Sequence, residues 1–135
     1  MASAIKNLGG KPFRLTRGVA GTGPSGAQPS PLGTVTAQND VVAFTIPEPT
    51  RDNQGALIIQ AVGGVTPTYA LEVSIDGGST WGVITPTTTF GTAAFGDTSS
   101  FIATYAVSGM GAGAQFRFGR TDATGGAANV FALVG

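Results

Sequence analysis

Short apolar runs, broken every few residues by Gly, Pro, Asp or Asn, set the pattern of this chain from about residue 34 onward. VVAFTI (41–46) ends at the Pro47 and Pro49 pair, and ALIIQAV (56–62) follows the turn-prone RDNQG. YALEVSI (69–75) alternates strictly: Tyr69, Leu71, Val73 and Ile75 are expected on one face, Ala70, Glu72 and Ser74 on the other. That period of two is the mark of a half-buried strand. WGVIT (81–85) is placed to pair back with it, and FIATYAV (101–107), QFRFGR (115–120) and NVFALV (129–134) complete the run. With a short element near residues 32–36 the count is seven or eight strands. No stretch carries a helical period. Short strands punctuated by turn residues predict an all-β, antiparallel β-sandwich. Their irregular spacing, with one long loop over 86–100, favours a sandwich or jelly roll over a barrel.

The first thirty-odd residues are different. Lys6, Lys11, Arg14 and Arg17 all fall here, no acid precedes Asp40, and GVAGTGPSGAQPSPLG follows. Such a segment lacks the apolar surface to offset the entropy of ordering it alone. Residues 1–33 therefore read as an extended basic arm and a Gly/Pro/Ser linker, and 34–135 as the sandwich domain. Ile5, Leu8, Phe13 and Leu15 give the arm apolar anchors, so Ile5, Lys6, Leu8, Lys11, Phe13, Arg14 and Arg17 are its expected partner-binding residues. The arm is expected to be disordered when free and to order on a partner. A frayed terminus without a role is the plain alternative.

Composition narrows the chemistry. The 135 residues suffice for one domain with a real core. There is no Cys and no His, which removes thiolate metal sites and the commonest general base. Charged residues make up 10% of the chain, 7 basic against 7 acidic, where about 25% is typical. A neutral surface rich in small residues repels its neighbours weakly and suits life among packed subunits. No apolar run approaches the roughly 18 residues that span a bilayer. The N-terminus shows no apolar segment after its charges, so the chain is expected to be made in a cytoplasm.

SIDGGSTW (74–81) is the densest motif. Lying between two expected strands, it should be a hairpin turn: Asp76 can accept backbone N–H groups beyond it, and Gly77 and Gly78 permit a positive φ. Ser74 and Thr80 can add hydroxyl bonds, and Trp81 restarts the strand with a large apolar body. The string resembles the Asp box, Ser-x-Asp-x-Gly-x-Thr-Trp, at Ser74, Asp76, Gly78, Thr80 and Trp81. In sialidases and other propellers that box is a structural hairpin away from the active site. It occurs once here, which does not make a propeller.

The wider layout, GALIIQAVGG, then SIDGGSTW, then GAQFRFGRTDATGGAANVFALV, resembles β-sandwich accessory proteins of tailed bacteriophages, including capsid decoration (cement) proteins and modules of tails and fibres. The resemblance covers residues 55–134. It implies a virion protein, made in the host cytoplasm, whose partners are the major capsid protein or other virion subunits, as a homo-oligomer or in many copies on a particle.

The remaining constellations add little chemistry. Asp40, Glu48, Asp52, Glu72, Asp76, Asp97 and Asp122 are scattered, mostly beside turn residues, without the dense oxygen spacing of a calcium loop. In QFRFGR, Phe116 and Phe118 should point into the core with Arg117 on the opposite face, the reverse of a stacking platform for nucleic acid. Phe90 and Phe95, in the long loop, either cap the sandwich or anchor a partner. The expectation is a structural protein and not an enzyme, without cofactor, metal, nucleic acid or membrane. Its rival is a tail, fibre or carbohydrate-binding recognition module, with Trp81, Tyr69 and Tyr105 as the aromatics such a module would expose. A secreted adhesive domain is a third class, weakened by the missing signal.

Overall fold

The computed structural model describes residues 6–7, 13–14, 30–46, 56–63, 68–91, 95, 100–107, 110, 113–122 and 126–134. Among them are eleven strands and no helix: β1 (Lys6–Asn7), β2 (Phe13–Arg14), β3 (Ser30–Val35), β4 (Asp40–Thr45), β5 (Ala56–Gly63), β6 (Tyr69–Ser74), β7 (Gly82–Ile84), β8 (Thr88–Thr89), β9 (Ser100–Ala106), β10 (Gln115–Arg120) and β11 (Ala128–Val134). Eight of these are the strands expected from the sequence. The other three, β1, β2 and β8, are two residues each.

The strands form two sheets. One runs β4-β10-β6-β7, with β1 and β2 both laid parallel on the outer side of β4; the other runs β3-β11-β5-β9-β8. All other pairings are antiparallel. Taken in chain order, the eight longer strands stand first, eighth, third and sixth in one sheet and second, seventh, fourth and fifth in the other. That wiring is a jelly roll, so the all-β sandwich expected from the apolar pattern is the fold observed.

The core fills the space between the sheets. Phe116 sits across from Phe44 on one side and Val73 on the other, and Phe118 lies between Val42 and Leu71. Phe44 and Phe116 stack at 5.5 Å, while Tyr69 stacks on Phe118 at 5.1 Å and meets Phe101 of the facing sheet at 5.0 Å. Leu57, Ile59 and Ala61 close the core from β5, each fully buried. Burying a side chain of this size contributes about 1.5–3 kcal/mol. Arg117 points away from this core, on the alternate face of β10, as period-two alternation requires. Gly119 has a packing reason: a Cβ there would lie 2.3 Å from the Asp40 carbonyl oxygen and 2.5 Å from Val41 Cγ1.

Three sequence expectations need correction. Ile75 is 83% exposed while Ser74 is buried. The strand stops at Ser74, whose hydroxyl turns inward to bond the hairpin, so alternation does not carry on to Ile75. The sandwich begins at Ser30, ahead of the boundary expected at 33/34. The arm is also not wholly separate: Lys6 and Asn7 pair with Asp40 and Val41, and Phe13 and Arg14 with Phe44 and Thr45. The unpaired side of β4 offers these four residues backbone partners, a source of order that reasoning from side-chain burial alone does not count.

At one end the connections between sheets converge on Arg120, which is 1% exposed. Its Nη1 donates to the carbonyls of Thr36, at 2.7 Å, and Gly126. These carbonyls belong to the β3–β4 and β10–β11 crossovers. The Arg120 carbonyl accepts the Asn39 N–H at 2.9 Å, and the Asp40 carboxylate accepts the N–H groups of Thr36 and Ala37. The β5–β6 connection joins through Thr68, whose carbonyl accepts from Thr121 N–H and whose N–H donates to Asp122. A buried cation is tolerated only when its donors are met, and removing it strands its partners. Arg120→Met is expected to cost on the order of 3–5 kcal/mol, read as the urea midpoint at neutral pH. Arg117→Met, on the half-buried outer face, should cost about 1 kcal/mol or less. Equal losses would contradict this ranking.

Candidate functional site

The five motif residues of the 74–81 hairpin come together as one bonded unit. The Ser74 hydroxyl donates to Asp76 Oδ1 at 2.7 Å and accepts the Gly78 N–H at 2.9 Å. Asp76 Oδ1 also accepts the N–H groups of Ser79, at 3.0 Å, and Thr80, at 2.9 Å. Gly77 and Gly78 take φ of 76° and 93°, left-handed values that favour glycine. Trp81 folds back so that its Nε1 donates to the Gly78 carbonyl at 2.9 Å. The Ser74 hydroxyl, Asp76 Oδ1 and the Trp81 N–H thus all bond within the turn itself.

The bond from the Thr80 N–H, helped by the Ser74 hydroxyl, holds the Asp76 carboxyl down to about 2, from an ordinary 3.8. The group lies on the exposed hairpin, and the shift comes from the bonds within the turn.

Trp81 is not an open platform. The Arg117 guanidinium sits 4.1 Å from its ring centroid, and Arg117 Nε donates to Glu72 Oε1 at 2.6 Å. Register brings these together, since Arg117 lies directly across from Glu72 and Glu72 across from Val83. Cation–π contact and an ion pair thus tie the hairpin to the outer face of its sheet. The other two aromatics that a glycan-binding face would need are inside. Tyr69 packs against the core, and Tyr105 is 2% exposed, with burial pushing its phenol up to about 12.

The described carboxylates are all committed locally. Asp40 bonds the β3–β4 turn, Glu72 pairs with Arg117, Asp76 holds the hairpin and Asp122 accepts from Thr68. Glu48, Asp52 and Asp97 lie outside the described residues. A shallow depression of about 130 Å³ on the β4-β10-β6 face is lined by Val41, Ala70, Gly119, Glu72 and Arg120, the last two engaged as above. Among the described residues no group of three His, Cys, Asp or Glu is placed to hold a metal ion.

The loop and arm residues fare differently. Phe90 is 53% exposed and Phe95 fully so, so neither caps the sandwich. Part of that loop is ordered as β8, which pairs with β9 through Thr88 and Thr89. Of the arm residues, Lys6, Phe13 and Arg14 lie on β1 and β2, and Ile5, Leu8, Lys11 and Arg17 lie outside the described residues.

No family model, no curated protein and no solved structure matches this chain.

The hairpin geometry gives a pH dependence. The Asp76 carboxyl titrates lower folded than unfolded, so its ionised form stabilises the fold above the ordinary carboxylate value. That contribution is expected to be lost as pH falls from about 4 towards 2. Trp81, the chain's one tryptophan, reports on the hairpin by fluorescence. Asp76→Asn should lower the melting temperature at neutral pH and flatten its fall between pH 4 and 2. Parent and variant curves that run parallel through that window would contradict the assignment.

Proposed function

We propose that this chain is a structural virion protein, a decoration protein that binds the outside of a phage head and braces adjoining capsomers. The observation that carries the reading is how the charged groups are used. Each described carboxylate bonds a turn or pairs with an arginine, so the described acid chemistry serves the fold rather than a cleft. What the described residues offer outward is chiefly uncharged surface. A jelly roll is compatible with this role and decides nothing alone, because capsid and lectin domains share it. The lectin-like alternative is disfavoured by Tyr69 and Tyr105 in the core and by Trp81 under Arg117.

In this reading the basic N-terminal segment and the exposed Phe95 meet the shell. Capsid-wide bracing arises from many copies, each with a modest interface. Lys6, Lys11, Arg14 and Arg17 would face acidic shell surface, a steering that weakens with salt. Because β1 and β2 pair with β4, truncation also exposes that edge. Removing residues 2–14 is expected to cost on the order of 1–3 kcal/mol of fold stability.

The test is co-sedimentation with particles that lack the protein, across ionic strength, alongside melts of each variant. Full-length protein should pellet with particles. The folded truncation should pellet less. A variant carrying Arg14→Glu and Arg17→Glu should lose more attachment at low salt than at high salt. Failure of the full-length protein to attach under any condition would overturn the reading.

A further inference from the structure

The two sheets differ sharply in charge. No Asp, Glu, Lys or Arg occurs in β3, β5, β8, β9 or β11, whereas Asp40, Glu72, Arg117 and Arg120 all lie on strands of the other sheet. The outer face of the uncharged sheet carries apolar side chains among neutral polar ones. Pairing places Pro31 beside Phe131, Phe131 beside Gln60 and Gln60 beside Ile102, and Phe90 donates its N–H to the Ile102 carbonyl. Alternation puts this whole row outward, because Leu57, Ile59, Ala61, Ala103 and Tyr105 point in. A second row joins Leu133, Ile58, Thr104 and Thr88.

Two features of the face are complementary to one another. At the β8 edge Phe90 stands 53% exposed. Towards the opposite side lies a shallow groove of about 110 Å³ between Ile58, Gln60, Phe131 and Leu133. Around the band the polar groups are neutral and satisfied: Thr34 donates to Asn129, and Thr87 bonds Thr104. Interface centres are depleted of charge and ringed by polar groups in this way.

We infer that this face is the contact between two copies of the chain, packed sheet against sheet about a two-fold axis. An apolar face without charge is matched by a second surface without charge, and this molecule carries one: the same face on another copy. A two-fold axis lying along the strands reverses the strand order, so Phe90 of each copy covers the Ile58–Phe131 groove of the other. Such a contact is isologous and closes at two, burying Phe90 of each copy. The inference rests on the charge partition of the sheets and stands apart from the virion reading.

The experiment is sedimentation equilibrium of the full chain from low micromolar to near-millimolar concentration. The parent should be a reversible dimer. Phe90→Asp and Ile58→Lys should each raise the dimer dissociation constant at least about tenfold, with circular dichroism unchanged. Ile75→Asp, at an equally apolar and more exposed position beside the other sheet, should leave it unchanged. A parent that stays monomeric throughout overturns the inference. So does a Phe90→Asp variant that dimerises like the parent, or an Ile75→Asp variant that loses the dimer equally. Because no particle is present, this result is separate from attachment to a shell.

Discussion

The jelly roll depends on one buried cation. Sheet-to-sheet crossovers leave backbone carbonyls pointing inward at the end of a sandwich, where no ladder can take them. Arg120 takes two of them, one from each of the neighbouring β3–β4 and β10–β11 crossovers, while its own carbonyl receives Asn39. Asp40 holds the N–H groups of the same turn. The effect is to fix the position of β4 against β10 and of β3 against β11, and so the spacing of the aromatic layer between them. The opposite end uses a different device: a hairpin that satisfies itself through Asp76 and needs nothing from the core beyond the buried Ser74.

Much of this was legible in the sequence, for physical reasons. Strand existence followed from apolar period and turn residues, and the hairpin from a motif whose every position has a local partner. The inward Phe116 and Phe118 and outward Arg117 followed from alternation alone. What escaped was non-local. Arg120 and Arg117 stand three residues apart on one strand, yet one is buried at the crossovers and the other lies over Trp81. Alternation alone sets them on opposite faces; the register of the neighbouring strands and the closure of the sandwich supply their partners. Glu72 looked like one of several scattered acids, and its partner became visible once β6 lay beside β10. The arm misled in the opposite sense: its side chains promise no core, but the edge of β4 offers backbone pairing that composition cannot reveal.

The division of charge between the sheets links fold to function. One face carries an ion pair, a covered tryptophan and the hairpin. The strands of the other hold no charged residue, and their outward apolar side chains are exposed or half-buried. A face without charge has a low cost of desolvation.

The reading as a component of a particle is tested most directly by counting. Quantitative mass spectrometry of purified particles, with the shell subunit as internal standard, gives copies of this chain per shell subunit. The account predicts a fixed ratio on the scale of the shell lattice, retained through washing at moderate salt. Absence from the particles, or a handful of copies per particle, would contradict it.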